Sequence, residues 1–326
     1  MVSKIFPSAV GNSPFSSFKI FFLSEGFTAS QQPQFSGACV EFVDRLLASP
    51  PFNLTRMNPH WLSIYRLFVP SANSGPALGV LPAAGRTAFE SSIDVISGNL
   101  SINPVKVGAV LDAENIRSGS DPIPLSEMVS KNLPTWGPTG AMVVLLIPET
   151  AGRGAELEYR PAAEEYYFIA TTLNGEWHQV ILRSLGLHLG LGDEFDLDGQ
   201  DFQAPRTQLE KAIYHRNLVY LENPPLTNGA ISKWKELFSR GQQKLQTVVH
   251  PKSALRSAID RSLPEFPFSP DTVEIWEGGG GYQERVYRTA MDCLMRRRIG
   301  DTTLPIRENA LAFCVACRKV LANFVL

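Results

Sequence analysis

Phe18 to Leu23 is a short apolar run closed by Ser24-Glu25-Gly26, which predicts a buried strand ending at a turn. Gln34 to Ala48 then sets Phe35, Ala38, Cys39, Phe42, Val43, Leu46 and Leu47 at helical spacing, and Pro50-Pro51 stops the run. Trp61 to Val69 is strand-like and leads into the turn-forming Pro70-Ser71-Ala72-Asn73-Ser74-Gly75. Val105 to Leu111 and Ala141 to Ile147 predict two more strands, the second so uniformly apolar that it belongs in the middle of a sheet. Between them, Ser118 to Pro138 is rich in Ser, Pro and Gly and reads as loop around one short helix.

Tyr166 to Thr171 predicts another strand, and Trp177 to Leu189 a helix buried on most sides, with Val180, Ile181, Leu182, Leu185 and Leu189 around it. After Gly192 the pattern loosens into the acidic stretch Asp193 to Asp201. Helices are expected over Gln208 to His215, Ile231 to Leu245 and Glu308 to Phe324. The expected architecture is α+β. A sheet-bearing lobe spans residues 1–192, and an irregular, mostly helical lobe spans 193–326.

Composition narrows the function classes. The 30 Lys+Arg against 32 Asp+Glu give a formal charge of -2, and Met295-Arg296-Arg297-Arg298 is the densest basic stretch, so a phosphate-tracking surface for nucleic acid is not indicated. The apolar runs are far shorter than a membrane span, and Met1 to Phe15 has no signal-peptide core. Four cysteines in 326 residues make no disulfide framework. A soluble, cytoplasmic protein with no membrane partner is the expectation.

Chemistry concentrates in Arg183-Ser184-Leu185-Gly186-Leu187-His188-Leu189-Gly190-Leu191-Gly192-Asp193-Glu194-Phe195. This run resembles the end of the active-site helix of the IgA-peptidase family of zinc metallopeptidases, a zincin-type family. There His-Glu-x-x-His is followed by a Gly turn and an Asp. Other segments resemble family motifs in the same order: Leu23-Ser24-Glu25-Gly26-Phe27-Thr28, Pro51-Phe52, Ser71-Ala72-Asn73-Ser74-Gly75 and Lys233-Trp234-Lys235. The C-terminal segments Trp276-Glu277-Gly278-Gly279 to Tyr282, Val286-Tyr287-Arg288, Asp292 to Arg296 and Phe313 to Arg318 match too. The resemblance implies a zincin-like fold from about residue 18 onward, with a peptide cleft over the helix and Met295 as a Met turn.

The zinc chemistry does not carry over. Aligned on Asp193, the third ligand position, the two His positions hold Arg183 and Leu187 and the Glu position holds Ser184. Arg has no lone pair to donate, Leu has no ligand atom, and Ser is a poor base at neutral pH. The five His are His60, His178, His188, His215 and His250, and no two stand at His-x-x-x-His spacing. His178 and His188 are ten residues apart, about 15 Å along a helix, so they cannot share an ion. No metal site and no cofactor are therefore expected. Asp193 is a vestigial ligand that Arg183 is expected to neutralise, with Leu187 filling the space of the second imidazole.

Two functions remain open. One is a pseudo-metallopeptidase that keeps the cleft to bind a peptide or protein segment, as a strand added to a sheet edge. The other is an enzyme repurposed for metal-free chemistry on a small molecule or peptide, with Arg183, Ser184, His188, Glu194 and Tyr287 as candidate groups. For each residue a structural reading stands beside the chemical one. His188 near a helix end is ordinarily a hydrogen-bonded structural group, and Glu194 packs the turn. Asp196 to Asp201 has the oxygen spacing of a short calcium loop without the rest of that loop. Gly278 to Gly281 lacks the Lys-Ser/Thr of a phosphate loop. Cys293, Cys314 and Cys317 offer three thiols without an evident fourth ligand, and read as buried free thiols or one disulfide.

Overall fold

The computed structural model describes residues 2–6, 18–56, 59–79, 85–118, 121–129, 140–148, 156–159, 166–174, 177–191, 217–220, 249–250, 275–279, 282–288, 293–296 and 312–325. The chain divides into two compact units: Met1–His188 with Val325–Leu326, and Leu189–Phe324. Helix and strand are mixed.

The first unit is built on a six-stranded sheet. Its strands are β1 (Val2–Phe6), β2 (Phe18–Ser24), β3 (Leu62–Leu67), β9 (Gly140–Ile147), β10 (Glu156–Tyr159) and β11 (Phe168–Thr172), in the order β1-β3-β2-β9-β11-β10. The four inner strands run parallel, and β1 and β10 run antiparallel at the two edges. Every residue of β2 is buried, as expected of a parallel strand covered on both faces. Short strands β4 (Ala77–Leu78), β5 (Ser92–Ile93) and β6 (Leu100–Ser101) form a small second sheet, and β7 (Asn115–Ser118) pairs with β8 (Asp121–Pro124).

The pleat sends alternate residues to opposite faces. On one face, Phe21, Leu23, Tyr65, Leu67, Val143, Leu145 and Phe168 pack with Val107 and Leu111 of helix α2 (Pro104–Ala113). The other face meets α1 (Gln32–Ala48) and α3 (Trp177–His188). Phe22 stands edge-on to Phe42 of α1 at 5.3 Å, and Phe42 lies 6.2 Å from Trp177 of α3. Helical spacing in α1 buries Phe35, Ala38, Cys39, Phe42, Val43 and Leu46, as read from the sequence.

Two expectations fail. Val105 to Leu111 is not a strand but most of α2. The alternation of Val105 and Val107 is incidental, because Val105 is exposed while Val107 and Leu111 share a buried face. Asn103 caps the helix, its side chain accepting from Val105 N–H at 3.1 Å, and Pro104 occupies the first turn where it needs no donor.

The second unit also carries a sheet, which corrects the expectation of a mostly helical C-terminal lobe. Its strands β12 (Leu218–Tyr220), β13 (Val249–His250), β14 (Ile275–Gly279) and β15 (Tyr282–Arg288) lie in the order β12-β15-β14-β13. Strands β14 and β15 pair antiparallel with Gly279 opposite Tyr282, so the Gly-Gly of positions 280–281 links two strands, the simplest hairpin spacing. The last helix, α4, spans Val315–Val325. The helices expected over 208–215 and 231–245 and the Asp196 to Asp201 loop fall outside the described residues.

Candidate functional site

Helix α3 carries most of the candidate chemistry, and its placement against β9 and β11 buries nearly all of it. Arg183 is 5% exposed, Ser184 fully buried and His188 2% exposed. Leu187 is half-buried. Arg183 and Leu187 stand at i and i+4, where the zincin pattern needs two imidazoles, and neither offers a metal a donor atom. A cation inside the helix face repels a second cation. The residues present do not fit zinc at this position, and no step through it follows.

Ser184 and His188 are also one turn apart, but they do not form a nucleophile–base pair. His188 Nδ1 donates to the Ser184 main-chain carbonyl at 2.9 Å, so the ring serves the helix backbone. The imidazole packs edge-on against Tyr167 at 4.8 Å and Phe18 at 6.1 Å. Ser184 Oγ is buried and meets no hydrogen-bond partner among the described residues. A serine hydroxyl becomes a nucleophile through a hydrogen-bonded base, and that bond is missing here. The structural reading of His188 holds.

Tyr287 lies on β15 of the other unit, paired with Val219 and Glu277. Asp193 and Glu194 lie outside the described residues. Met295 is buried in a short turn of 3-10 helix, Leu294–Arg296.

The residue that sequence reasoning passed over is Glu25. It follows β2, is fully buried, and accepts backbone N–H bonds from Phe89 and Ser91, each at 2.9 Å. Beside it, Ser71 Oγ accepts from Gly26 N–H at 3.0 Å and Ala88 N–H at 2.9 Å. Gly75 N–H donates to the Gly26 carbonyl at 2.8 Å, and Ser71 N–H to Phe27 O at 2.8 Å. Gly26 has φ of +70°, and a Cβ there would come within 3.1 Å of the Gly75 backbone. Only glycine suits both demands. The segments Leu23–Thr28 and Ser71–Gly75, quoted separately in the sequence, are thus one interlocked structure. The signal for Glu25 was a lone acid directly after an apolar strand.

No described helix is long and apolar enough to cross a membrane. Comparison with family models and with curated proteins finds no match to this chain.

Proposed function

We propose that this chain is a pseudo-metallopeptidase: a zincin-like scaffold of the IgA-peptidase type that no longer hydrolyses peptides through zinc and instead holds a peptide or protein segment. The observation that carries the reading is Arg183, a buried guanidinium at the first imidazole position of the motif helix. A permanent cation there opposes metal uptake on charge as well as on chemistry. The scaffold half draws on the sheet. A parallel core ends in the antiparallel edge strand β10, β11 follows, and the motif helix α3 comes directly after. The interlock of Gly26 with Gly75 adds support, since it joins two of the segments that resemble family motifs.

The binding half rests on β10. It hydrogen-bonds to β11 on one side and is the terminal strand of its sheet, so an extended segment can add along its other side through main-chain bonds. The rival reading, a metal-free enzyme, needs an activated group on α3, and the His188–Ser184 carbonyl bond disfavours it.

Restoring the motif tests the register. The triple variant Arg183→His, Ser184→Glu, Leu187→His, carrying Cys293→Ser to exclude thiol binding, is expected to take up one equivalent of zinc that Asp193→Ala abolishes. A folded triple variant with no zinc above background overturns the alignment. For the binding half, extended peptides selected against the wild-type chain are expected to slow amide exchange in β10. Selected peptides that leave β10 exchange unchanged overturn the edge-addition reading.

A further inference from the structure

Three of the four cysteines converge within the second unit. The sulfurs of Cys293, Cys314 and Cys317 all lie within 4.8 Å of one another, and all three residues are buried. The closest pair, Cys293 and Cys317, is 3.7 Å apart. Sulfurs bound to one zinc at about 2.3 Å in tetrahedral geometry sit about 3.8 Å from each other. The pair already has that separation, and the third sulfur needs to close by at most about 1 Å.

The surroundings favour sulfur in its charged form once a cation arrives. Cys314 precedes α4 and Cys317 lies in its first turn, so both sit at the positive end of the helix dipole. The Cys314 N–H donates to Cys293 Sγ at 3.3 Å, a bond that strengthens on a thiolate. Leu294 N–H bonded to Ala312 O and Arg318 N–H bonded to Cys314 O hold the two segments in this arrangement.

We propose that Cys293, Cys314 and Cys317 form a three-thiolate site for one thiophilic closed-shell metal ion, zinc or copper(I). Soft thiolates select such ions over magnesium or calcium. Among the described residues no His, Asp or Glu atom joins the group, so protein supplies three sulfurs there. Burial and the neighbouring thiols hold the Cys317 thiol well above its ordinary pKa, so without a cation the group stays protonated. Metal entry then releases protons to solvent, one from each thiol that becomes a ligand. The site is independent of the motif helix, and its fate does not bear on the pseudo-peptidase reading.

Cadmium titration of the reduced full-length chain, followed by sulfur-to-cadmium charge-transfer absorbance, tests it. Saturation at one equivalent is expected. Cys293→Ser, Cys314→Ser and Cys317→Ser are each expected to weaken binding by more than about a hundredfold, while Cys39→Ser, in α1 of the other unit, leaves it unchanged. Zinc and copper(I) offered in competition identify the preferred ion by displacing cadmium. A reduced wild-type chain with no charge-transfer band overturns the proposal without any variant. So does a band that survives Cys317→Ser, or one displaced by magnesium.

Discussion

Lys19 occupies the middle of the main sheet, between Ser63 of β3 and Ala141 of β9, and is only 4% exposed. Burial first, and the charge of Lys4 second, bring its pKa down from 10.5 to about 8. The sign of the effect on stability follows from proton counts. Below about pH 8 both the folded and unfolded chains hold the proton, and the burial penalty is constant. Between about pH 8 and pH 10.5 only the unfolded chain holds it, so stability rises with pH. Lys19→Met is therefore expected to be more stable than wild type by about 2 kcal/mol at pH 7, with the gap closing toward pH 10. Urea midpoints of the two proteins across this range check it; a gap independent of pH removes Lys19 as the source. Glu25 shows the opposite use of a buried charge. Its two backbone donors give it a fixed task, and losing the carboxylate would strand two N–H groups at about 1–3 kcal/mol each.

Among the elements, α2 is the one whose start is most exposed to a single change. Asn103 Oδ1 caps it, and Asn103 Nδ2 donates to Glu90 Oε2 at 2.7 Å. Glu90 in turn pairs with Lys106 in the first turn of α2 at 2.7 Å, and its own backbone has φ of 56°. The cap thus ties the helix to the turn before it. Asn103→Ala is expected to cost about 1–2 kcal/mol, and Asn103→Asp less, because Asp still caps but cannot donate to Glu90. Chemical denaturation measures both, and equal losses would mean that the Glu90 bond, not the cap, matters. The same element explains a failure of pattern reading. Val105 and Val107 are β-branched and alternate, which is a strand signal, while Asn103-Pro104 is a helix-start signal two residues earlier. Burial decided between them: Val107 and Leu111, one turn apart, face the sheet.

At the scale of the whole molecule, the main sheet was legible because its inner strands are buried on both faces and read as unbroken apolar runs, Ile20 to Leu23 and Met142 to Ile147. The C-terminal sheet was not, since Glu277, Gln283, Glu284 and Arg285 break the apolar pattern of β14 and β15. For the candidate site, a motif helix over Trp177 to His188 was legible from apolar spacing, and its register came only through the resemblance. Which way His188 turns was not legible, because Ser184 offers both a hydroxyl and a carbonyl one turn away and packing by Phe18 and Tyr167 favours the second. The three thiols were half legible: Cys314 and Cys317 announce themselves by spacing, whereas Cys293 reaches them only through the fold.

The strand order has a consequence for how the chain is made. On one side β2 pairs with β3, beginning at Phe18 and Leu62, and on the other with β9, beginning at Phe18 and Gly140. A nascent chain emerges at about 5–20 residues per second, so β2 and β3 leave the ribosome several seconds before β9. Through that interval the Phe-rich β2 has one flank without its strand neighbour. Long-range parallel pairing of this kind is slow to form and exposed to aggregation until it closes. The N-terminal half of this protein is thus built to depend on its own later residues, and a ribosome-bound fragment ending before residue 140 is the form most in need of a chaperone.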